Sequence, residues 1–196
     1  IFIGHGVGAL AISGLALTFP LMNLAAAFGS LVGVGAATLV SMRLGQRDYE
    51  TAQRILGNVV VLNLIIGISF GLLTLVFLDP ILYFFGASDA TIGYAREYMS
   101  VILWGNVVTH MYLGLNAVLR AAGHPRKAMY ATILTVTINA ILDPLFIFGF
   151  GWGIRGAAIA TVLAQILALV WQFRIFSDRN ELLHFRRGIY RLKGKI

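Results

Sequence analysis

The stretch ILGNVVVLNLIIGISFGLLTLVFL, Ile55 to Leu78, decides the fold. It runs 24 residues without Asp, Glu, Lys or Arg. About 20 predominantly apolar residues suffice to cross the hydrocarbon core of a bilayer as a helix. Working outward, uncharged runs also cover Tyr98 to Leu119, Ala128 to Leu142 and Gly156 to Phe173. Before them, nothing from Ile1 to Met42 is charged. That first run is too long for one span and short for two. Its segment Gly4 to Gly8 reads as a glycine-rich turn, which predicts one long helix from about Gly14 to Met42. Ile1 to Ile3 then read as the end of an earlier helix. The reading is an all-α polytopic membrane protein with five complete transmembrane helices and the end of a preceding one. A secretory signal is not evident, because no basic start precedes the first apolar run.

Composition agrees. Of 196 residues, 59% are hydrophobic, 12% are charged, and mean hydropathy is +0.85. Disordered chains are poor in apolar residues, so that class is excluded. With no cysteine, a disulfide framework and a cysteine zinc site are excluded too. The formal charge is +7. Thirteen of the fifteen basic residues fall on alternate connections: Arg43, Arg47 and Arg54; Arg120, Arg126 and Lys127; and seven from Arg174 onward. Only Arg96 and Arg155 fall on the other side. The positive-inside rule assigns the thirteen to the cytoplasm and the chain to the inner (plasma) membrane. The basic charge therefore reports orientation, and no nucleic-acid partner is expected.

Residues 1–176 read as a helical lobe and 177–196 as a basic amphipathic cytoplasmic linker. Leu182, Phe185, Ile189, Leu192 and Ile196 recur at helical spacing, with Arg186, Arg187, Arg191, Lys193 and Lys195 between them. Such a stretch suits the surface of membrane lipids, or a solvated connection between two membrane halves. Gly29 and Gly33 form a small-xxx-small pair for close helix packing.

One acid stands apart. Asp143 lies within Ile138-Asn139-Ala140-Ile141-Leu142-Asp143-Pro144-Leu145-Phe146. An ionisable group at that depth costs several kcal/mol and is a functional candidate by default, at roughly 2.5–3.5 kcal/mol on insertion scales. Asn139 is one turn earlier on the same face. Pro144 withholds an N–H and loosens the helix. Taking Trp152 as the tip of the next hairpin puts Thr161 level with Asp143. A carboxylate, an amide oxygen and a hydroxyl are hard oxygen donors suited to Na⁺. The same groups suit a carboxyl that exchanges H⁺, or one simply hydrogen-bonded between helices. The four histidines show no metal-ligand spacing, and no nucleophile elbow or phosphate loop appears, so an enzyme is not expected.

The run Asn139 to Gly149 resembles the fifth helix of multidrug and toxic compound extrusion (MATE) transporters. Gly33-Val-Gly-Ala-Ala-Thr-Leu-Val-Ser41-Met-Arg43-Leu-Gly45 resembles the end of that family's second helix. Asn116-Ala-Val-Leu-Arg120-Ala-Ala-Gly123 resembles the end of its fourth. The resemblance implies most of a six-helix lobe, one of two around a central cavity, with a carboxyl-terminal lobe of the same protein as partner. It implies secondary active efflux of organic cations or amphiphiles in exchange for Na⁺ or H⁺, with no cofactor beyond that coupling ion. Asn139, Asp143 and Thr161 match the family's cation site, with Asp143 as the Na⁺ ligand, and Tyr98 and Asn116 match positions lining the cavity. The family's acid before a Phe-x-Gly turn would precede Phe2-Ile3-Gly4, upstream of Ile1. The chain given thus reads as an amino-terminal lobe fragment, inactive alone. A lipid-linked sugar flippase of related fold would need a large basic cavity, for which only Arg96 and Arg155 are placed. A sealed scaffold has no use for an acid at mid-membrane.

Overall fold

The computed structural model describes residues 7–178, 181–186 and 189. Every regular element among them is helical. In chain order they are α1 (Ala9–Gly45), α2 (Tyr49–Val76), the short α3 (Leu78–Phe84), α4 (Ile92–Trp104), α5 (Asn106–Ala121), α6 (Pro125–Pro144), a π-helical turn (Leu145–Gly149) and α7 (Gly153–Ser177). Four helices are long and apolar enough to span a membrane. The bent pair α4–α5 makes a fifth if taken as one span.

Local signals place the helix ends. Gly8 precedes α1 at φ +109°, a conformation that L side chains rarely adopt. The carboxylate of Asp48 caps α2 by accepting from the Thr51 N–H at 3.1 Å. That bond holds the Asp48 carboxyl below its usual range. Pro125 opens α6 at a first-turn position, where its missing N–H costs nothing. Relative to the expected Gly14 to Met42, α1 is longer at both ends and passes Pro20 without a break.

The run Tyr98 to Leu119, read as one span, is broken. α4 and α5 meet at Gly105 with a bend of 56°. A side chain at Gly105 would stand 2.5 Å from Val162 Cγ2, so α7 presses directly on the joint. The buried Asn106 amide then donates to the Gly67 carbonyl at 3.0 Å, fixing the bend against α2.

α1 packs on α2, α4 and α5, and α7 packs on α4, α5 and α6. The small-residue pair faces α5 as its spacing required. An added Cβ at Gly33 would lie 2.8 Å from Gly114 Cα, and one at Gly29 would lie 3.2 Å from His110 Cα. Large apolar side chains stay outside: Val76, Phe84 and Trp104 are 75%, 85% and 74% exposed. That inverted distribution is what a lipid-facing or partner-facing bundle shows, since hydrocarbon does not penalise exposed apolar groups.

The linker departs from expectation. Residues 181–186 are not helical. Leu183 is buried while Leu182 is exposed, so the predicted face is not formed there. The cause is tertiary. Phe185 packs between Phe173 and Phe176 of α7, and its N–H bonds the Phe176 carbonyl at 2.6 Å. Ile189 is buried against Gly57 of α2. Leu192 and Ile196, and with them Arg187, Arg191, Lys193 and Lys195, lie outside the described residues.

Candidate functional site

Helix α6 is the least covered of the long helices; only Ala128 and Ala131 are buried along it. Its last turn carries the polar group of interest. The Asn139 side chain is the hub. Its Nδ2 donates to Asp143 Oδ1 at 3.1 Å on the same helix and to Thr161 Oγ1 at 3.2 Å on α7. Thr161 in turn donates to the Ala157 carbonyl at 3.0 Å, so its oxygen is free to accept from Asn139. The buried Tyr98 of α4 lies beside Thr161 on the third side. Four side chains from three helices thus meet at one level of the bundle.

The hairpin register differs by about one turn from the one read off the sequence. Asn139, not Asp143, bonds directly to Thr161, which centres the hairpin nearer Phe150 than Trp152. The π-helical turn after Pro144 and the left-handed glycines Gly151 and Gly153 shape this connection. Pro144 has no N–H for the Ala140 carbonyl, and the Leu145 N–H turns instead to Leu142. The helix is therefore loosened one residue after the acid. Loosened backbone beside a carboxylate is how broken membrane helices present oxygens to a cation.

Asn116 stands apart from this group. Its Nδ2 donates to the Ala128 carbonyl at 3.0 Å, tying α5 to α6, and its Oδ1 accepts from Arg120. Arg120 lines a recess of about 340 Å³ with Val34, Thr38 and Ser41 of α1. Asn116 thus acts on that recess through the guanidinium it holds. A polar contact absent from the sequence reading extends the cluster toward the other end: Thr109 of α5 donates to Gln165 Oε1 at 2.6 Å. Gln165 is one turn beyond Thr161, and that four-residue polar spacing in an apolar helix was the available signal.

Among the described residues, no group of three His, Cys, Asp or Glu could hold a metal ion. The donors here are instead one carboxylate, one amide and hydroxyls, a set for a weakly bound monovalent cation or a proton. The two basic residues at the opposite end of the bundle from the clusters are both neutralised. Arg96 grips Asp79 through two bonds of 2.7 and 2.6 Å, and Arg155 meets Glu97 at 3.3 Å.

Comparison with known proteins agrees with this architecture. Residues 1–145 match the family model MatE. The multidrug export protein MepA of Staphylococcus haemolyticus (strain JCSC1435) is 33% identical over 184 residues, covering 94% of this chain and 41% of that protein. MepA of Staphylococcus aureus (strain NCTC 8325 / PS 47) is 30% identical, covering 93% and 40%. An inward-facing structure of a multidrug resistance MATE family transporter of the MOP superfamily superposes with a TM-score of 0.93 at 27% identity, covering 98% of this chain and 44% of that one. A MATE crystal structure in the bent conformation gives 0.90 at 28% identity, covering 94% and 41%. The chain spans about two-fifths of the length of the curated relatives it matches.

Proposed function

The chain belongs to the MatE family, and from that membership we propose that it serves multidrug efflux by cation antiport, with Na⁺ or H⁺ taken up at Asp143 in exchange for amphiphilic or cationic small molecules. The observation that carries the reading is the Asn139 amide bridging Asp143 to Thr161 across the α6–α7 hairpin. A cation arriving at the carboxylate competes for the oxygen that Asn139 holds. Asn139 must then turn toward Thr161 or swing away, which changes how α6 and α7 are joined. The loosened backbone after Pro144 gives α6 the freedom to respond. Binding that favours one helix arrangement shifts the population of cavity orientations, which is what coupling requires. Tyr98, beside the same threonine, carries the change to α4 and the cavity side.

The flippase alternative asks for free basic side chains at a head group. Arg96 and Arg155 are engaged by Asp79 and Glu97, which argues against it. In proteoliposomes carrying the whole protein, Asp143→Asn is expected to reduce ion-driven efflux at least tenfold while binding of the transported compound persists. Undiminished coupled efflux in that variant would remove Asp143 from the mechanism.

The orientation follows from charge. The ends of α1, α5 and α7 that hold Arg43, Arg120 and Arg174 face the cytoplasm of the cell's inner membrane, and the linker lies on that side. Because the chain has no cysteine, single introduced cysteines report the side directly. Asp89→Cys is expected to react with an impermeant maleimide in intact cells and Arg126→Cys only after permeabilisation; the reverse pattern overturns the assignment.

A further inference from the structure

A cavity of about 600 Å³ lies far from the Asp143 group, where the linker folds back over the start of α2. Two guanidinium groups, Arg54 of α2 and Arg186 of the linker, line it together with Tyr49 and His184. Gln53 also lines it and is only 8% exposed. The Gln53 Oε1 accepts from the His184 N–H at 3.3 Å, while its Nε2 has no hydrogen-bond partner among the described residues. A buried amide donor without a partner costs about 1–3 kcal/mol, so it calls for an acceptor. The lining contains one acid, Glu50, and Arg54 holds it at 2.5 Å. The Thr51 N–H at the start of α2 is already taken by Asp48.

The remaining wall is apolar, formed by Leu182 and Ile189. Leu182 is 55% exposed and Ile189 is seated against Gly57. Gly57 is the third residue of the uncharged run of α2. The cavity therefore straddles the level at which the chain passes from charged loop to apolar span. Donors face one part of it and aliphatic side chains another.

We propose that this cavity binds the phosphate of an anionic phospholipid head group, with Arg54, Arg186 and the Gln53 amide as its donors and Leu182 and Ile189 beside the upper acyl chain. Bidentate guanidinium contacts suit a phosphate diester. The bound lipid clamps the linker onto α2. The site is independent of the Asp143 reading and stands whether or not that reading holds.

The test uses the purified whole protein in neutral maltoside micelles, titrated with phosphatidylglycerol, with phosphatidylcholine of the same acyl chains, and with inorganic phosphate. Native mass spectrometry counts the adducts. Phosphatidylglycerol is expected to bind at least tenfold more tightly than either of the others. At about 1 kcal/mol per basic residue near a membrane surface, Arg54→Gln with Arg186→Gln weakens it roughly 30-fold. Both side chains are solvent-facing, so an unchanged helical circular dichroism signal confirms an intact fold in the double variant. Glu50→Gln is expected to tighten binding, an opposite sign that a merely disordered linker would not produce. Equal binding of the two lipids, full affinity in the double variant, or binding of inorganic phosphate without phosphatidylglycerol each overturns the proposal.

Discussion

Two helix contacts in this bundle are made in opposite ways. Where α1 crosses α5, glycines bring the backbones together: Gly33 lies against Gly114 and Gly29 against His110. Where α6 meets α7, the near end is closed by Gly156 against Phe146, but the middle is joined through side-chain hydrogen bonds of Asn139. At Gly29 and Gly33 the first contact leaves no room for a side chain. The second has longer, polar connections and a loosened backbone after Pro144. A close-packed glycine seam has one arrangement, whereas a hydrogen-bonded junction has several of similar energy. The lobe thus sets a close-packed glycine seam beside a hydrogen-bonded hairpin.

The largest effect expected from breaking that contrast is at the seam. Gly33→Leu would drive a side chain into Gly114 and Ala117. Overpacking of this kind costs on the order of 3 kcal/mol, which thermal unfolding in detergent would show as a large fall in Tm. A melting point near that of the wild type would mean that the seam is not close-packed. The smaller effect is at the hairpin. Thr161→Val removes the acceptor for Asn139 and keeps the side-chain volume. Interhelical hydrogen bonds in membranes average about 0.6 kcal/mol, so Tm should barely move. Coupled efflux should nonetheless fall several-fold, because Asn139 loses its alternative partner. A stability loss matching that of Gly33→Leu, with coupling intact, would reverse the roles of the two contacts.

Much of this was legible in the chain because lipid imposes a simple rule. Long uncharged runs must be helices, and an acid inside one must have a purpose, so α2, α7 and Asp143 could be read directly. The bend at Gly105 could not. Glycine in an apolar run looks neutral until Val162 of another helix is seen pressing on it. Asn139 and Thr161 were expected in one group, but Thr161 stands level with Asn139 and not with Asp143, because a π-helical turn changes the register of the hairpin. Residues 181–186 depart from the expected helix for a related reason. Its helical spacing was genuine in the sequence, but Phe185 gains more by packing on Phe173 and Phe176 than by staying on a free helix face. Asn116 matched a cavity position by resemblance, and what only the structure adds is its tie between α5, α6 and Arg120.

The central claim is that the Asp143 carboxyl takes up the coupling cation. Infrared difference spectroscopy of its carboxyl band, recorded as Na⁺ is added at fixed pH and as pH is raised without Na⁺, tests this most directly. The band is expected to shift in at least one of the two titrations and to vanish in Asp143→Asn. A carboxyl band unresponsive to both, or a response that survives in Asp143→Asn, would contradict it.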